Sequence, residues 1–240
     1  MIDSKLDELV QKLKDAAANN LKAVILYGSA ASDEFHGKHS DLNILCVVAQ
    51  AGAAHLEALH GPVEWWIRRG QRAPLVFTLE ELRRSADIFT VELLDMKSRH
   101  RILYGENVLA QITVPLRFHA IQVERELRAD WLRLRQAILA APKRPKAYVE
   151  IMVSSFSAFA AMFRHALIAL GEAPTQTKRE AVDRIAQFAG ADPAGFHAIL
   201  DIREGKLRGR DIDIDKTLNQ YFALVEAVTD KFDRQLDEQK

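Results

Sequence analysis

Leu6, Leu9, Val10, Leu13 and Ala17 recur every three or four residues, which predicts an N-terminal helix closed by Asn19-Asn20, residues that tolerate a left-handed C-cap. Two continuous apolar runs follow, Ala23–Tyr27 and Leu42–Val48, and read as buried strands. A helix is predicted over Ala53–Arg69 and a strand over Pro74–Phe77. Thr78 then acts as an N-cap, with Glu80 and Glu81 in the first turn of a short helix to Ser85. Phe89 to Tyr104 reads as one or two further strands ending at Gly105. Beyond Pro115 the period is helical throughout. Val123, Leu127, Trp131, Leu134 and Ile138 form one face, Pro142-Lys143-Arg144-Pro145 interrupts it, and Tyr148 to Leu170 forms a second, more apolar face closed by Gly171. Shorter helices are predicted over Lys178–Ala189 and Pro193–Arg203, and a last long one carries Leu218, Phe222, Val225, Phe232 and Leu236. The pattern predicts an α+β chain: a small mixed sheet with helices over residues 1–112, then an all-α helical bundle over 116–240.

Composition narrows the partners. Lys+Arg and Asp+Glu both total 33, a formal net charge of zero, so no basic excess marks a long nucleic acid as ligand. The single cysteine, Cys46, lies inside an apolar run and reads as an inert buried thiol. The chain opens without a basic-then-apolar leader, and the apolar stretch Ile151–Phe163 carries three serines and falls short of the ~20 residues that span a bilayer. These features predict a cytoplasmic protein without a membrane partner. The apolar Tyr148–Leu170 helix is expected at the centre of the bundle, with the bundle docked on the sheet domain or on a second copy of the chain as a homodimer.

The chemistry is concentrated at the first strand pair. Ala23-Val24-Ile25-Leu26-Tyr27 ends in Gly28-Ser29, a polar loop spans residues 30–40, and Asp41-Leu42-Asn43 opens the second apolar run. Glycine lets backbone approach a phosphate without an intervening Cβ, and the serine adds a hydroxyl donor. A lone Gly-Ser is an ordinary strand-ending turn. Coupled to Asp41-Leu42-Asn43 between two apolar strands, it resembles the signature of the DNA polymerase β-like nucleotidyltransferase superfamily: an apolar strand, Gly-Gly or Gly-Ser, a loop, then Asp-hydrophobic-Asp/Glu. The helical half is similar in type to the bundles appended to antibiotic-type nucleotidyltransferases.

The resemblance implies Mg²⁺ held by paired carboxylates and attack of an acceptor hydroxyl on the α-phosphate of a nucleoside triphosphate, with pyrophosphate leaving. Gly28 and Ser29 would bind the nucleotide; Asp41, Asn43 and a third acid would face the metal. Asn43 stands where the second carboxylate belongs. Two divalent ions need fixed negative charge between them, which a neutral amide cannot supply, whereas one Mg²⁺ can be held by one or two carboxylates and the substrate phosphates. The candidates for the third acid are Glu92 and Asp95; on a strand, residues three apart face opposite sides, so at most one can serve. Glu92 is preferred as the acid in the apolar heart of its run, with a salt bridge to an arginine, outside the chemistry, as the other reading. Two outcomes stay open: transfer of AMP to a hydroxyl of a small molecule or protein, weakened by Asn43, and a catalytically degenerate nucleotide-binding or regulatory protein.

Other candidates have plainer readings. His36, His39 and Asp41 have ligand-type side chains but no second His pair or cysteine to complete a zinc site. Trp65-Trp66 reads as helix packing, and Arg164-His165 as a helix-end pair beside carbonyls or facing a cleft. The Arg–His spacing of HEPN ribonucleases is absent, so the bundle lacks that family's catalytic motif.

Overall fold

The computed structural model describes residues 2–31 and 42–238. Asp41, His36 and His39 lie outside the described residues, as does the side chain of Ser29. Two compact units divide the chain, Met1–Pro115 and Leu116–Lys240.

The first unit opens with α1 (Ile2–Ala17), whose buried face is Leu6, Leu9 and Leu13. Its exit differs from expectation. The left-handed residue is Ala18 (φ 45°), while Asn20 uses its side-chain amide to bond both ways with the backbone of Gln50, each bond 2.9 Å. Strands β1 (Leu21–Tyr27), β2 (Asn43–Val48), β3 (Leu75–Thr78) and β4 (His100–Gly105) form one sheet in the order β3-β2-β1-β4. The central β1 is antiparallel to β2 and β4, while β2 and β3 run parallel, which makes the sheet mixed.

Alternation divides the sheet into two faces. Val24, Leu26, Ile44, Cys46 and Val48 pack on α1 and Trp66; Ala23, Ile25, Leu45 and Val47 pack on Leu82, Ala86, Leu93, Met96 and Leu109. The predicted helix over Ala53–Arg69 is two helices, α2 (Ala53–Ala58) and α3 (His60–Ile67). Pro62 has no N–H to give the carbonyl of Ala58, and it is tolerated because it falls in the first turn of α3. Helix α4 (Leu79–Arg84) starts at the predicted Thr78 cap as a full capping box, Glu81 N–H to Thr78 Oγ1 at 3.1 Å and Thr78 N–H to Glu81 Oε2 at 2.7 Å.

Phe89–Tyr104 corrects the sequence reading. Thr90–Ser98 is helix α5, and only β4 is a strand. Thr90, Leu93 and Met96, three residues apart, share its buried side. A short apolar run does not separate strand from helix by composition.

The second unit contains α6 (His119–Ala140), α7 (Pro145–Ala169), α8 (Lys178–Ala189), α9 (Ala194–Arg203) and α10 (Ile214–Asp237). Helix α7 touches the other four, with Met152, Phe156, Phe159 and Phe163 fully buried. Gly195 lets α9 lie against α10, since a Cβ there would stand 2.6 Å from the Tyr221 nitrogen. The adjacent Phe196 and Tyr221 rings then stack at 3.9 Å. The apolar run of α7 sits in a 25-residue helix, so its length and composition alone would suffice to cross a membrane, contrary to the sequence estimate; 56% of its apolar window is buried inside the protein, as in a core helix.

Candidate functional site

Three side-by-side strand positions form the end of the sheet that matters. Tyr27 of β1 is paired with Asn43 of β2 on one side and His100 of β4 on the other, so the three line one row across the sheet. Tyr27 packs with the residues under α4 and α5, which places this row on the sheet face covered by those helices.

Gly28 ends β1 with φ +79°, a conformation that disfavours any residue with a Cβ. A Cβ would also stand 3.3 Å from Asn43 Nδ2. The Gly28 turn and the Asn43 side chain at the start of β2 are therefore immediate neighbours. One detail departs from expectation. The Gly28 N–H donates to the Arg99 carbonyl at 3.0 Å, so Gly28 serves through its shape rather than as a phosphate donor.

Burial pushes the Tyr27 hydroxyl above its ordinary value; Arg72 pulls it back and Glu92 adds to the rise. Both charges therefore act on this end of the sheet. Sequence reasoning missed Arg72 and its neighbour Gln71, whose side-chain oxygen lies 3.4 Å from the Leu42 N–H. Topology explains them. Because β3 runs parallel to β2, the connection must return to the end where β2 begins, carrying Gln71 and Arg72 there. The predicted order strand, helix, strand contained that signal.

Glu92 is on α5, not on a strand, and it is exposed rather than enclosed in an apolar run. On a helix, residues three apart are neighbours, so the argument that Glu92 and Asp95 exclude one another no longer applies. Among the described residues, no group of three or more His, Cys, Asp or Glu side chains could hold a metal. The donors in or near the row, among the described residues, are the Asn43 amide, the Tyr27 hydroxyl, the Glu92 carboxylate and the His100 imidazole, whose Nδ1 lies 3.1 Å from the Lys97 carbonyl.

The remaining candidates have structural roles. Trp66 is buried in the first core, and Trp65 carries Arg69 at 3.8 Å over its ring. His165 is fully buried, its Nδ1 3.1 Å from Nε2 of the equally buried His119, so it does not face solvent. Cys46 is buried, and its thiol is pushed up to about 12 by desolvation.

No family model matches the sequence, and no curated protein matches it. Among solved structures, the chain is similar to a spectinomycin adenyltransferase from Enterococcus faecialis, crystallised with ATP and spectinomycin: 15% identity, 91% of this chain and 98% of that chain covered, TM-score 0.54. A toxin–antitoxin structure with AMP-PNP also aligns, at 17% identity over 56% of this chain and 98% of that one, with a TM-score of 0.31. The first likeness shows that the chain has the nucleotidyltransferase fold, a small mixed sheet followed by a helical region.

Proposed function

We propose that this protein binds a Mg²⁺–nucleoside triphosphate at the Gly28–Asn43 end of the sheet and transfers its nucleoside monophosphate, AMP by preference, to a hydroxyl of a small molecule. The observation that carries this reading is the direct apposition of Gly28, at φ +79°, and the Asn43 side chain. Likeness over 91% of the chain to an adenyltransferase crystallised with ATP supports it.

In this reading Asp41 and the triphosphate oxygens would hold the ion, with Asn43 as a neutral ligand, and the ion would supply positive charge against the phosphates. Arg72 faces the negative charge that grows on the departing pyrophosphate. The acceptor oxygen bonds to the α-phosphorus while the bond from that phosphorus to the bridging oxygen breaks, and pyrophosphate leaves. The acceptor proton passes to a carboxylate, Glu92 or Asp95. Asn43 favours slow turnover, and it also supports the second reading, a nucleotide-binding regulatory protein that has lost transfer.

Calorimetry on the whole chain tests the common premise. Mg-ATP should bind, and Gly28→Val or Asp41→Ala should weaken it at least tenfold. Absence of binding by all four nucleoside triphosphates at millimolar concentration would overturn both readings.

A further inference from the structure

Beside the Tyr27–Asn43 row, the same sheet face opens into a cavity of about 260 Å³. Its walls are Leu75 and Phe77 of β3, Leu82 of α4, Phe89 before α5, and Leu93 and Met96 within it; Glu92 is the one charged residue in the lining and Ser85 the one hydroxyl. Leu75 pairs with Leu45, two residues along β2 from Asn43, so the cavity begins about 7 Å from the row. Leu75 and Phe89 are 41% and 43% exposed, large apolar side chains left open around a hollow rather than folded into it.

We infer that this cavity is the acceptor subsite of the transfer proposed above and takes the apolar ring system of a hydroxyl-bearing compound. The size fits: a dry apolar cavity of about 150 Å³ holds one benzene ring, so this one accommodates a fused bicycle. Its chemistry disfavours a polycationic or heavily hydroxylated acceptor, which would lose water against six apolar side chains and meet only one carboxylate and the Ser85 hydroxyl. Glu92 belongs both to the cavity lining and to the charges that act on Tyr27. An acceptor seated in the cavity therefore has its hydroxyl beside a carboxylate that faces the nucleotide end of the sheet. This assignment rests on the proposed transferase reading.

The probe is 2-naphthol, titrated into the full-length protein by calorimetry, with Mg-ATP titrated separately into each variant. Saturable 2-naphthol binding is expected, weakened at least tenfold by Phe89→Ser and by Leu75→Asn. Both positions are exposed, so the fold should survive. Leu139→Ser, at an 86% exposed apolar position on α6, should change nothing. Retained Mg-ATP binding with no 2-naphthol binding, or with equal binding to all variants, would overturn the subsite and leave the nucleotide reading standing. Bound 2-naphthol that is sensitive to Phe89→Ser, in a protein that binds no nucleotide, would keep the cavity as an aromatic site and overturn its role as an acceptor subsite.

Discussion

The two faces of the four-stranded sheet are built to different ends. Under α1 and α3 the packed positions are apolar, from Leu6, Leu9 and Leu13 on the helix to Val24, Leu26, Ile44 and Cys46 on the strands. Under α4 and α5 the same strands present Ile25, Leu45 and Val47, but the row then ends in Tyr27 and Asn43, beside an open cavity. One face carries the stability of the unit. The other gives up packing where the strands end, and the groups with chemical reach collect there.

The largest effect should come from breaking the sealed face. Trp66→Ala removes a fully buried indole and should cost about 3–5 kcal/mol in urea unfolding, whereas Ile88→Ala, exposed beside the open face, should stay within about 0.5 kcal/mol. Equal losses would mean that the two faces are not specialised.

Restoring charge on the open face should come next. Asn43→Asp adds a half-buried carboxylate where the local dielectric is low, and should tighten Mg²⁺-dependent ATP binding at least tenfold, about 1.4 kcal/mol. Calorimetry at several Mg²⁺ concentrations measures this. Unchanged affinity would show that the site lacks more than this one acid.

The smallest effect sharpens the view of the sealed face and depends on pH. Burial raises the Cys46 thiol from an ordinary 9.0 to about 12. The neutral thiol is the form the core accepts, so its contribution is complete below pH 9 and falls as pH rises towards 12, by about 1.4 kcal/mol per unit. Tyr27 and Tyr221 are raised from 10.0 and join above that pH. Between pH 9 and 10 the loss should therefore belong to Cys46, and Cys46→Ala should unfold at nearly the same urea concentration at both pH values.

Much of this was legible in the sequence because it depends on local rules. The β1 and β2 strands declared themselves by apolar runs, the Thr78 cap by Glu81 three residues on, and the helical half by its period. The family resemblance grouped Gly28 and Asn43 in one motif, and a Cβ on Gly28 would stand 3.3 Å from Asn43 Nδ2. What escaped depends on tertiary structure. Helix α5 looked like a strand because Val91-Glu92-Leu93-Leu94 suits either period, and only its packing over the sheet settles the choice. Arg72 reaches the site through a parallel crossover, and His165 pairs with a histidine 46 positions away. No window of neighbouring residues contains that information.

Helix α5 is a stiff rod of nine residues, roughly 13 Å long, with a different attachment at each end. Phe89 and Glu92 stand at the cavity, and the Arg99 carbonyl just past its other end grips the Gly28 N–H. A rod cannot bend to absorb a push. A displacement of α5 by an occupant of the cavity would reach the glycine turn at Arg99, whose carbonyl accepts from the Gly28 N–H at 3.0 Å, and through the adjoining His100–Tyr27 pairing.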